Sequence, residues 1–335
     1  MEITKESHKK TDWYTLNNDN NYSVTISTLG ATVIAINTPD KDGKVENILL
    51  SFNHQTDYLK HKGWFNATVG RVAGRIKDAK WQENNLDKNE NGNILHGGEN
   101  PSISYSKWEK ITYYQKENEI GLILNYLSPD GENGFPGTLS ISAIFRLNND
   151  NQFTVTYIGH TSKTTLFNPT THMYFNLSGD CKRDITYQDL QIDSDYTLET
   201  NSELIPTGTL LATKDTPFDF KNKTNIGDNI NHLPHGYDTP FKLNKHTDGK
   251  PNLILSDPIS GRKVKIKTSS NAMIVYSTDT PGVPYKIKDG VEYRDNIALA
   301  LEPQMLPDAI NHDNFGNIIV TPQKPAIFEN VYYLN

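Results

Sequence analysis

The sequence predicts an all-β protein, a large antiparallel sandwich or barrel with little helix. Three observations predict it. Apolar and polar residues alternate with a period of two over many short runs, which lines one face of a strand with apolar side chains. Turn-forming pairs punctuate the chain evenly: Asp42-Gly43, Asn91-Gly92, Asp130-Gly131, Asp248-Gly249 and Asp289-Gly290. No window of 15 residues sustains the i, i+3, i+4, i+7 apolar spacing of an amphipathic helix.

Taken in order, residues 22–26 alternate and predict a strand, and residues 46–52 and 121–126 predict two more. In residues 139–147 the odd positions are Leu139, Ile141, Ala143, Phe145 and Leu147, while Ser140, Ser142 and Arg146 stand between them. The polar cluster Asn148-Asn149-Asp150-Asn151-Gln152 follows, and Phe153, Val155 and Tyr157 resume the alternation. Strand, polar loop and strand predict a hairpin. Further strands are expected at residues 263–267, where Val264 and Ile266 share a face, and at 272–276 and 297–301. Helical turns are expected only around residues 57–61 and 224–226. No low-complexity linker or clear repeat divides the 335 residues. The expectation is therefore one β-sandwich domain over residues 1–335, although roughly 100–200 residues per domain is usual.

Charge and composition narrow the function. There are 33 basic and 40 acidic residues, a net charge of −7, which disfavours partners that need a basic patch, such as nucleic acid or an anionic membrane. No apolar run approaches the ~18 residues of a membrane span, and the opening residues MEITKESHKK lack the apolar core of a secretory signal. The single cysteine, Cys181, excludes an internal disulfide and a thiolate metal cluster. These features give the expectation of a cytoplasmic protein without nucleic-acid or membrane partners, and they leave open whether it is a monomer or a homodimer.

Five segments carry residues suited to chemistry. In Gly70-Arg71-Val72-Ala73-Gly74-Arg75-Ile76, Arg71 and Arg75 are placed to orient hydroxyls or a carboxylate; two solvated arginines on a turn would look the same. In Leu95-His96-Gly97-Gly98 the glycines let the backbone approach a ligand closely, and His96 is either a donor there or a structural histidine. His172 sits in Asn168-Pro169-Thr170-Thr171-His172-Met173-Tyr174-Phe175-Asn176 among polar and aromatic residues. Imidazole suits proton transfer near neutrality, and aromatic rings suit the C–H faces of a sugar; an ordinary strand with a core histidine is the alternative. Asp238, after Gly236-Tyr237, is either an acceptor for hydroxyls or a turn residue. Glu302 ends the apolar run 297–301, where burial would raise its pKa toward that of a useful base. His96 and His172 lie 76 residues apart with no His-x-His or HExxH pair, so the sequence points to no metal site.

Together these blocks resemble the aldose 1-epimerase (galactose mutarotase) family. The matching stretches are Ala67–Ile76, Leu95–Gly98, Asn168–Gly179, Gly236–Asp238 and Leu301–Asn311, in the family's order from about residue 22 to the C-terminus. The resemblance implies a large antiparallel β-sandwich of the galactose mutarotase-like type. It also implies interconversion of the α and β anomers of free aldohexoses such as glucose and galactose, without metal or cofactor. By position it assigns Glu302 as the base on the anomeric hydroxyl and His172 as the acid on the ring oxygen. His96 becomes a second histidine near that oxygen, Asp238 and Arg75 become ligands of sugar hydroxyls, and Tyr174 the aromatic residue after the acid. Two departures stand out. Gly74 occupies the place of an asparagine, and Pro281-Gly282-Val283-Pro284-Tyr285-Lys286 replaces a segment whose glutamine meets the sugar, leaving Tyr285 or Lys286 as substitutes. Rival functions are a glycosidase using Glu302 and Asp238, a non-catalytic sugar-binding module, and an epimerase for sugar phosphates. The last would want a concentrated cationic pocket.

Overall fold

The computed structural model describes residues 1–8, 11–99, 101–245 and 249–335, so Asp248 of the Asp248-Gly249 pair lies outside the described residues. The alternating segments pair into three larger sheets, and every ladder between named strands is antiparallel. A five-stranded sheet runs in chain order from Glu2–Ser7 to Val45–Asn47. A nine-stranded sheet contains the hairpin Leu139–Asn148 and Gln152–Thr161 and takes in the last strand, Ala326–Leu334. A six-stranded sheet runs in the order Met173–Phe175, Leu299–Gln304, Ala272–Ser277, Asp238–Leu243, Ser194–Thr200, Pro206–Ala212.

The period-two signal sets what faces inward. Leu139, Ile141, Ala143, Phe145 and Leu147 are all fully buried, and Leu147 opposes Phe153 as the hairpin predicts. Each Leu, Ile or Phe so buried contributes about 1.5–3 kcal/mol relative to exposure. The core they enter is shared by all three sheets: it includes Val24 and Ile36 of the first, Phe145 and Tyr332 of the second, and Phe175, Leu299 and Leu301 of the third. Phe175 and Tyr332 meet across the sandwich with ring centroids 6.2 Å apart.

The six-stranded sheet is two-faced. Leu299 and Leu301 point into the core, whereas Glu302 and Gln304 line a cavity on the opposite side. Register places Ile274 opposite Glu302, Pro240 opposite Ile274 and Asp238 opposite Tyr276, and these residues line the same cavity. One face of the sheet thus anchors the fold and the other forms the floor of a site.

Three expectations shift in detail. Residues 46–52 form a strand only over Val45–Asn47. The buried side chain of Asn47 marks the switch: its Oδ1 accepts from the N–H groups of Ile36 and Leu49 and its Nδ2 donates to the Leu49 carbonyl, while the backbone beyond it pairs with residues 174–176, Leu50 N–H donating to the Tyr174 carbonyl and the Ile48 carbonyl accepting from Asn176 N–H. The strand expected at 297–301 begins at Leu299 and continues to Gln304, so Glu302 lies within it rather than at its end. The two helical turns are the helices Gln55–Lys60 and Ile226–Ile230, the second capped by Asn225, whose Oδ1 accepts from the Gly227 N–H. Among the described residues no helix is long and apolar enough to cross a membrane.

Candidate active site

The cavity over this sheet has a volume of about 520 Å³, and of the residues singled out by sequence it is lined by Arg75, His96, His172, Tyr174, Asp238 and Glu302. His172 stands between the short strands Thr170–Thr171 and Met173–Phe175. Its backbone N–H donates to the Ala67 carbonyl and its carbonyl accepts from Asn66 N–H, both at 3.0 Å. The buried Asn66 side chain fixes the next residues by accepting from Tyr174 N–H at 2.8 Å and donating to the Leu50 carbonyl at 2.6 Å. The imidazole of His172 stacks on Tyr174 at 4.8 Å, and the Tyr174 hydroxyl donates to the Gly63 carbonyl.

Two buried groups meet at the centre. His172 Nε2 lies 3.2 Å from Glu302 Oε1, while His172 Nδ1 and Glu302 Oε2 have no partner among the described residues. Burial raises Glu302 to about 8; the nearby Asp238 adds to the rise and Arg75 opposes it. Burial lowers His172 to about 4. Between these values the pair holds one proton, which either partner can carry across the short contact.

His96 comes from the other wall. Its Nδ1 accepts from the Gly74 N–H at 3.2 Å, so in the neutral ring the proton is on Nε2. Burial, with His172 and Arg75 nearby, holds its pKa far below the ordinary range, which keeps it a neutral donor. The backbone of His96 has φ +52°, and Gly97 allows the close approach that follows: a Cβ there would lie 2.1 Å from the Gly70 carbonyl oxygen. The ring packs edge-on against Trp64 at 4.7 Å and lies 5.4 Å from that of His172.

Arg75 makes a two-pronged contact to Glu90, 2.5 Å and 3.0 Å, and its third nitrogen reaches within 3.9 Å of Asp238. Burial raises the pKa of Asp238, with Arg75 opposing. Arg71 is a correction. Its buried guanidinium donates to the Ser128 hydroxyl and to the carbonyls of Ser128, Pro129 and Pro136, and it does not line the cavity. The segment carrying both arginines bends at Arg71, Ala73 and Gly74 instead of running as one helix or strand, so a spacing of four does not put them on one face. Of the departing segment, Pro281 and Tyr285 line the cavity, Tyr285 stacked on His61 at 4.0 Å and on Tyr293 at 4.6 Å; Pro284 and Lys286 are exposed outside it.

Three-dimensional assembly also supplies what sequence reasoning missed. Gln304 shares a face with Glu302 because it is two residues along the same strand, a signal the sequence did contain. Trp64, Glu90, Tyr276 and Tyr293 reach the cavity only through long-range pairing and carry no local signal. His96, His172 and Glu302 bring three donor atoms within 4.8 Å of one another, a grouping the separation of the histidines in sequence did not reveal. His172 Nδ1 lacks the carbonyl or carboxylate partner that usually orients a metal-bound histidine.

The chain is similar to known proteins of one family. The family profile described as Aldose 1-epimerase matches residues 12–330. An aldose 1-epimerase of Streptococcus thermophilus is 37% identical over 315 residues, covering 90% of this chain and 88% of its own. A galactose mutarotase of Rattus norvegicus is 31% identical, covering 90% of this chain and 87% of its own. The crystal structure of a galactose 1-epimerase from Lactobacillus acidophilus superposes with a TM-score of 0.85 at 26% identity, covering 100% of this chain and 98% of that one. The chain belongs to the aldose 1-epimerase family of isomerases.

Proposed function

We propose that the protein interconverts the α and β anomers of free aldohexoses, glucose and galactose among them, by acid–base opening and reclosure of the ring. The observation that carries this reading is the buried His172–Glu302 contact of 3.2 Å at the cavity floor. Glu302 takes the proton of the C1 hydroxyl while His172 delivers one to the ring oxygen. The C1–O5 bond breaks and the C1 carbonyl forms. Rotation about C1–C2 presents the other face, and reclosure returns both protons. Concerted transfer avoids a free alkoxide, and each well-placed group contributes ~10²–10⁴-fold.

The pKa order supports a particular division of the work. Ring opening converts carboxylate and imidazolium into carboxylic acid and neutral imidazole. That is the arrangement burial favours, with Glu302 raised and His172 lowered. The site therefore stabilises the proton distribution of the open-chain sugar. Neutral His96, with its proton on Nε2, polarises and positions rather than protonates, and Asp238 and Arg75 hold hydroxyls. A sugar phosphate fits less well, because the cations lining the cavity already have carboxylate partners, Arg75 in Glu90 and Lys62 in Glu99.

Polarimetry on freshly dissolved α-glucose, α-galactose and α-glucose 6-phosphate tests the reading, with and without a chelator. The free sugars should equilibrate far faster than the blank, the phosphate much less so, and the chelator should change nothing. Free sugars at the blank rate would overturn the proposal, and chelator-sensitive turnover would make the His96–His172–Glu302 grouping a metal site.

A further inference from the structure

Gln304 is fully buried and lines the cavity, yet neither its Nε2 nor its Oε1 has a partner among the described residues. Among the described residues the other buried amides pair at least one side-chain atom, although Asn133 Oδ1 and Asn330 Nδ2 are also without partners. Asn66 makes two side-chain bonds, and Asn176 uses its Nδ2 on two carbonyls and its Oδ1 on Ser178 and Gln188. A buried amide left unpaired on both atoms is costly, so each such case asks what completes it. The strand geometry gives the direction. Glu302 and Gln304 point the same way, about 6.6 Å apart along the strand, so Gln304 extends the wall of the site away from the acid–base pair.

Gly74 makes the room. A Cβ at that position would lie 3.3 Å from Gln304 Oε1 and 3.2 Å from Pro307 Cβ, and the backbone there has φ +74°. A side chain at position 74 would press on the Gln304 amide. This is also the position where the sequence departs from the pattern it otherwise resembles, with glycine in place of asparagine beside Arg75.

We infer that Gln304 is a substrate-binding residue that fixes specificity, supplying from the sheet floor a polar contact that position 74 does not. A carboxamide offers one acceptor and a two-proton donor side by side. The group that satisfies both at once is a hydroxyl, which donates and accepts, and the anomeric hydroxyl is already engaged by Glu302 in the proposed reaction. The ligand of Gln304 is therefore a ring hydroxyl other than that on C1. The inference rests on the anomerase reading, and a site built to pair a hydroxyl discriminates against the analogue that lacks it.

The test is a cycle between residue and substrate. kcat/KM is measured for glucose and its 2-, 3- and 4-deoxy analogues with the wild type and with Gln304→Met, which keeps the volume and removes both polar atoms. One deoxy analogue should be turned over three- to tenfold less well than glucose by the wild type, the size expected for one neutral hydrogen bond. Gln304→Met should lose a similar factor on glucose and nothing further on that analogue, while the remaining analogues keep their wild-type ratios. Gln304→Glu, which keeps an acceptor, serves as the second variant and should fall between the two on glucose. Thermal melting checks that both variants fold. Equal losses on every sugar, or no loss on glucose, would overturn the assignment even with a fully active wild type. An inactive wild type would instead strike the anomerase reading.

Discussion

Two buried glutamates in this molecule have opposite fates. Burial alone would raise Glu46, but hydrogen bonds from Lys182, Lys44 and Arg262 overcome it and bring its pKa down to about 2. Arg262 in turn donates to the carbonyls of Thr38 and Lys44, so the cluster ties the end of the first sheet to the loop preceding Lys263–Thr268. Glu302 is also buried but among the described residues it meets only His172, keeps one oxygen unpaired, and rises to about 8. Burial does not distinguish a structural carboxylate from a reactive one. The partners do: a fully paired charge holds the fold, and an under-paired one is left free to exchange a proton.

Exchanging each glutamate for glutamine should separate these roles. Glu302→Gln removes proton acceptance and should lower kcat by ~10²–10⁴-fold, with the cooperative melt retained. Glu46→Gln should leave kcat near wild type and lower stability by on the order of 3 kcal/mol, because it strips a partner from buried Arg262. Steady-state polarimetry and denaturant titration on both variants read the two effects. Near-wild-type turnover in Glu302→Gln would end its assignment as base.

The signs of the two shifts predict opposite pH responses. Glu46 is depressed when folded, so its stabilisation is present above its ordinary pKa and is lost as pH falls toward about 2. Glu302 is raised, so its contribution is fully present below its ordinary pKa and is lost as pH rises through about 8. Relative to wild type, Glu302→Gln should therefore gain in Tm between pH 5 and pH 9, whereas Glu46→Gln should lose most at neutral pH and least in acid. For the reaction, kcat/KM should be bell-shaped. Its acid limb lies near 4, where the pair gains a second proton and has no base, and its alkaline limb near 8, where the pair loses its only proton. A profile flat from pH 7 to pH 10 would show that Glu302 does not titrate as the pair requires.

Much of this was legible in the sequence, and the exceptions share a cause. Period-two alternation read the hairpin from Leu139 to Thr161 correctly because pattern and burial are the same fact seen twice. It missed that the run after Asn47 changes partner, leaving the first sheet to pair over residues 48–50 with residues 174–176. Six of the seven residues singled out for the site line the cavity, but Arg71 does not. Whether a buried guanidinium meets ligand or backbone depends on residues some 57–65 positions further along, Ser128, Pro129 and Pro136 among them. Glu90 escaped notice for the same reason, since only folding sets it against Arg75.

The smallest effects are expected in the segment around Tyr285, where the sequence leaves the family pattern. The Tyr285 ring is stacked between His61 and Tyr293 and its hydroxyl donates to that of Tyr293, so its faces are occupied and its edge is what it offers to the cavity. Tyr285→Phe keeps the stack and removes one neutral hydrogen-bonding group, which should change KM by no more than about three- to tenfold and leave kcat alone. Lys286→Ala and Pro284→Gln alter exposed residues outside the cavity and should leave both constants unchanged for glucose and galactose. A shift in the ratio of the two sugars in either of those variants would mean that the segment closes over substrate with a face other than Tyr285. The stacked column would then be a resting arrangement rather than the wall of the working site.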